Sequence, residues 1–103
     1  MDEPLEIILT QILSLCDPEF VILFNQKRHV STDVIKSADF LLVIDEGDKA
    51  TLMRKIYLYV DSEIPFNLLI HTRDEWDELT ADPFSFAYQT KEKGVVVYER
   101  TAS

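Results

Sequence analysis

Apolar positions along the chain fall into two kinds of pattern, helical stripes and short unbroken runs, and their alternation predicts the elements. Leu5, Ile8, Leu9, Ile12 and Leu13 recur at i, i+3, i+4, i+7 and i+8, so residues 4–15 read as an amphipathic helix, with Pro4 suited to its first turn. Asp17-Pro18 breaks that pattern, and Phe20–Phe24 follows as a continuous aromatic and β-branched run, the signature of a buried strand. Asn25–Ser37 is polar and reads as a loop with a short helical turn. Phe40–Ile44 is a second buried strand, closed by the turn Asp45-Glu46-Gly47-Asp48. Lys49–Val60 reads as a helix with Leu52, Ile56 and Tyr59 on its inner face and Met53 and Val60 beside them.

Pro65–His71 is the third strand. Thr72 followed by Glu75 is a capping box, so a helix starts there and includes Trp76 and Leu79. Asp82-Pro83 restarts the chain into a short helix with Phe84, Ala87 and Tyr88 apolar. Gly94 is placed to end that helix, and Val95–Tyr98 forms a last short strand. The order α-β-β-α-β-α-α-β predicts a mixed β-sheet with helices packed on it, hence an α/β or α+β fold.

Composition narrows this picture. The 103 residues suffice for one domain and one core, and 47% hydrophobic with 28% charged residues is globular composition. Two glycines and four prolines leave no flexible linker. A net charge of −9 disfavours nucleic-acid binding over a broad surface, with Lys27-Arg28-His29 and nearby Lys36 a local exception. The single cysteine, Cys16, has no internal disulfide partner and lies among apolar residues. No apolar stretch suggests a leader or a membrane span, so the expected setting is soluble and cytoplasmic.

Candidate chemistry concentrates at the head of the second strand. Asp39 opens its apolar run and Ser37 lies two positions earlier, and in a strand positions i and i+2 share a face. Two carboxylates at that spacing could hold a metal ion together, but only one position here is acidic. His29 and His71 are far apart in sequence and lack the spacing of a zinc site. Trp76, Phe84, Phe86 and Tyr88 read as core and interface filling, and Asp74, Glu75, Asp77 and Glu78 as a solvated helix face.

These strings, taken in order, resemble a minimal nucleotidyltransferase of the polymerase-beta-like superfamily over nearly the whole chain. Val21–Phe24 matches the family's first strand, and Asn25-Gln26 falls where the family carries Gly-Ser at the start of a short helix. Ser37-Ala38-Asp39 falls on Asp-x-Asp, and Pro65-Phe66-Asn67-Leu68-Leu69 falls on the strand of the third aspartate, with Asn67 at the carboxylate. Thr72-Arg73-Asp74-Glu75-Trp76, Asp82–Phe86 and Gly94–Glu99 match the tail. A second alignment, shifted by one residue, places Ala38 and Phe40 on the two aspartates, but it leaves Asp39 on the wrong face.

The resemblance implies a two-metal site in which paired strand aspartates hold the cations and the third helps activate the attacking hydroxyl. Of these positions Ser37, Asp39 and Asn67, only Asp39 retains a carboxylate, and it is the one candidate metal ligand. Serine is a weak ligand for magnesium, and asparagine cannot take a proton as a general base. The nucleotide-binding positions would be Asn25, Gln26, Lys27 and Arg28, with Gln26 bulkier than serine and Val30 in place of a glycine common in the family.

The resulting expectation is a catalytically inactive nucleotidyltransferase-like domain spanning residues 1–103. It would need no cofactor and would act by binding, as an antitoxin-type partner of a small helical HEPN protein. A homo-oligomer is also compatible with the chain. The alternatives are an active Mg²⁺-dependent enzyme with Asp33 or Asp45 joining Asp39, and a nucleotide sensor without turnover. Asp45, at the far end of the strand, lies ~20 Å from Asp39 at ~3.3 Å per residue.

Overall fold

A computed structural model describes residues 2–101. The elements follow the expected order: α1 (Glu3–Leu15), β1 (Phe20–Arg28), β2 (Ile35–Ile44), α2 (Lys49–Tyr59), β3 (Phe66–Thr72), α3 (Arg73–Thr80), α4 (Phe86–Lys93) and β4 (Val95–Glu99). The fold is mixed α+β, with one four-stranded sheet in the order β3-β2-β1-β4. β1 runs antiparallel to β2 and to β4, whereas β2 and β3, joined through α2, are parallel.

The central strand explains why an unbroken apolar run works here. Phe40, Leu42 and Ile44 point to one face of the sheet and join Leu5, Ile8, Leu9 and Ile12 of α1 and Ile56 of α2. Leu41 and Val43 point to the other face, against Ile22, Trp76 of α3 and Ala87 of α4. A strand covered on both faces has no position where a polar side chain could reach water. The second face is reinforced by Phe20 and Trp76, packed edge to face with centroids 5.5 Å apart.

Helix ends follow their caps. The Thr72 hydroxyl accepts from Glu75 N–H while the Glu75 carboxylate accepts from Thr72 N–H, a complete capping box. Asp48 caps α2 through Thr51 N–H, and Gly47, at φ 126°, makes the turn before it. Gly94 ends α4 in extended backbone, so a left-handed turn is not what its position requires. A Cβ there would run into the Ile22 side chain and approach the Thr90 carbonyl to 2.7 Å.

Three readings need correction. Asn25–Ser37 is not a loop with a helical turn: β1 runs on to Arg28, the chain turns over residues 29–34, and β2 begins at Ile35. This segment is a projecting hairpin arm whose side chains largely meet solvent, so it carries no apolar periodicity. Tyr59 is 64% exposed, because Val60, one residue on, takes the inward position against the core. Phe84 is 94% exposed: Ser85 is the N-cap and α4 starts only at Phe86, leaving Phe84 in the connecting turn.

Candidate functional site

The end of the sheet beyond α3 and α4 carries a polar face, and strand register determines who meets there. Asp39 on β2 is opposite Asn67 on β3 and opposite Asn25 on β1. The second of these pairings depends on an irregularity. β1 carries one extra residue at Phe24, between the pairs Leu23–Phe40 and Asn25–Asp39. Without that bulge Phe24, not Asn25, would stand opposite Asp39, so the bulge re-aims a side chain as bulges characteristically do. Phe24 packs edge to face on Phe86, with centroids 5.5 Å apart.

The three side chains are bonded to one another. Asn25 Nδ2 donates to Asp39 Oδ2 at 2.9 Å, and Asn67 Nδ2 donates to Asp39 Oδ1 at 2.9 Å. An ionised carboxylate only accepts, so both amides turn their NH₂ groups inward and each oxygen has a donor. The cluster ties three neighbouring strands together at the polar end of the sheet.

The remaining expected site residues divide between the two faces. Ser37 and Lys27 are opposite one another, two residues beyond Asp39 and Asn25 in the direction of the arm. Gln26 stands opposite the core residue Ala38, and Gln26 and Arg28 border a hollow on the other side of the sheet with Leu5 and Leu23. Arg28 donates to Asp2 at 2.6 Å, to Gln26 Oε1 at 2.9 Å and to the Asp33 carbonyl at 3.0 Å. The arm therefore separates Lys27 from Gln26 and Arg28, and no helix N-terminus stands behind Asn25 and Gln26 among the described residues.

Neither of the acids considered as additional ligands joins Asp39. Asp45 is held by Arg100 through bonds of 3.1 and 2.9 Å, and that guanidinium holds its carboxyl below the usual carboxylate range. Asp33 lies at the end of the arm with φ 59°. His71 is at the opposite end of β3, against Trp76, and burial lowers its pKa. Burial likewise raises the pKa of Cys16, so the thiol is not an activated nucleophile.

A two-cation centre does not fit this donor set. Magnesium demands several hard oxygens in octahedral array, and here the groups nearest the Asp39 oxygens are NH₂ donors. Among the described residues no three His, Cys, Asp or Glu side chains form a group able to hold a metal ion.

The resemblance set Ser37, Asp39 and Asn67 at one site beside Asn25, but that Asn25 bonds Asp39 directly was not read from it. The only signal lies in register: a bulge at Phe24 has no signature in an unbroken apolar run. Comparison with family models, with curated proteins and with solved structures finds no match for this chain.

Proposed function

We propose that this chain is a nucleotidyltransferase-like domain without transfer activity, acting in the cytoplasm as a binding, antitoxin-type partner of a small helical HEPN protein. The observation that carries the inactive reading is the closed hydrogen-bonded cluster at Asp39. The one carboxylate left at the three acidic positions of the resembled motif has both oxygens engaged by amides, where an active site would present them to cations. Loss of two such carboxylates removes charge that would stabilise a phosphoryl-transfer transition state by several kcal/mol each. The element order supports the family reading, since the strands bearing Asn25, Asp39 and Asn67 are neighbours in the sheet. No helix among the described residues is long and apolar enough to cross a membrane.

The test is incubation of the pure protein with each labelled nucleoside triphosphate and Mg²⁺ or Mn²⁺, alone and with a HEPN-type helical protein. The expected outcome is a complex that runs as one species with no label on either protein. Label transfer that disappears in Asp39→Ala would overturn the proposal.

A further inference from the structure

The hairpin arm leaves one strand edge open, and the surroundings of that edge specify what it accepts. β4 pairs with β1 only from Phe20 to Leu23, whereas β2 pairs with β1 as far as Arg28. The outer edge of Phe24–Arg28 therefore has no strand beside it among the described residues. Five residues span ~17 Å at ~3.3 Å each, room for a short extended segment continuing the line of β4.

A hollow lies on each side of the sheet along this edge. On one side Phe24 and Phe86, with Lys93 at the rim, border a cavity of about 130 Å³. On the other, Leu23, Val95 and Val97, with the ion-paired Arg28 and Asp2 at the rim, border one of about 210 Å³. Side chains of a strand alternate between faces, so a segment added here would aim successive residues into the two hollows in turn.

Charge selects the occupant. In a chain of net charge −9, Lys27 on this strand and Lys93 beside it form no ion pair among the described residues, whereas Arg28 is paired with Asp2. A second copy pairing by the same edge would set these cations against one another. We propose that the outer edge of Phe24–Arg28 is a β-augmentation site for an extended, acidic segment of a partner protein. Backbone hydrogen bonds align the segment, its apolar side chains fill the hollow at Leu23, Val95 and Val97, and its carboxylates, alternating onto the other face, meet Lys27 and Lys93. The site does not depend on the nucleotidyltransferase-like reading, because a chain that proved able to transfer nucleotide would keep the same edge.

The test is an amide NMR titration of the full chain with a synthetic peptide of alternating valine and glutamate, matched against one of alternating valine and lysine. The expected result is saturable shifts confined to Phe24–Arg28, Phe86 and Val95 with the acidic peptide. Lys27→Glu, a change at an exposed side chain, should weaken that binding about tenfold or more, as should the switch to the basic peptide. Shifts elsewhere, equal binding of both peptides, or no shift up to about 1 mM acidic peptide would overturn the proposal. So would concentration-dependent shifts of the same amides without peptide, which would assign the edge to a second copy.

Discussion

Asp39 shows how a single register decision converts one chemistry into another. Its carboxylate would keep only the amide of Asn67 if β1 were regular. With the extra residue at Phe24, it becomes the acceptor for two amides on flanking strands. Charge-assisted bonds are the stronger kind, but these are partly exposed, which limits their net contribution. Asp39→Ala should therefore destabilise the fold by about 1–2 kcal/mol in urea unfolding, with unchanged m-value. An unaltered midpoint would mean that the three residues do not act as a cluster. Gly94 illustrates a different residue-scale constraint, a close approach of backbone to the Ile22 side chain with no special dihedral. Gly94→Ala forces either β1 or the end of α4 to move, and should cost about 2 kcal/mol, of the order seen for overpacking.

At the scale of elements, legibility followed the apolar code. α1, the buried runs of β1 and β2, the Thr72 cap and the order of all eight elements were readable, because each rests on periodicity or a capping residue. The arm was not. Asn25–Arg28 pairs with Ile35–Asp39 while much of its surface meets water, so no side chain is required to alternate between apolar and polar. The polar end of the site was half legible: spacing put Ser37 and Asp39 on one face, but which β1 residue met them depended on the bulge. Tyr59 and Phe84 were misjudged for a related reason, since both lie where a helix ends or has not begun.

The capping box of α3 carries the pH dependence at this scale. The Lys49 ammonium, donating to Glu75 at 2.7 Å, and then the Thr72 N–H, hold that carboxyl at about 2 against an ordinary 4.5. A folded value below the unfolded one means that this contribution is fully present above about 4.5, and is lost as pH falls from there through about 2. Glu75→Gln keeps an acceptor for the Thr72 N–H but does not titrate. Its unfolding midpoint should therefore depend less on pH than that of the parent chain across this interval. Parallel pH profiles for the two proteins would remove Glu75 from the explanation.

For the whole molecule, the two layers of helices leave one end of the sheet bare, and that end holds both the Asp39 cluster and the arm. The core is built from β2 outward, so polar positions at its head can change without disturbing the fold. On the proposed reading, this is how the scaffold keeps its architecture without binding cations. Cation binding at Asp39 can be read directly from the side-chain amide signals of Asn25 and Asn67 during titration with paramagnetic Mn²⁺. These NH₂ resonances, held by Asp39, should stay as sharp as those of amides distant from acidic groups. Selective loss of both signals at substoichiometric Mn²⁺, abolished by Asp39→Ala, would show a cation at the carboxylate and overturn the inactive reading.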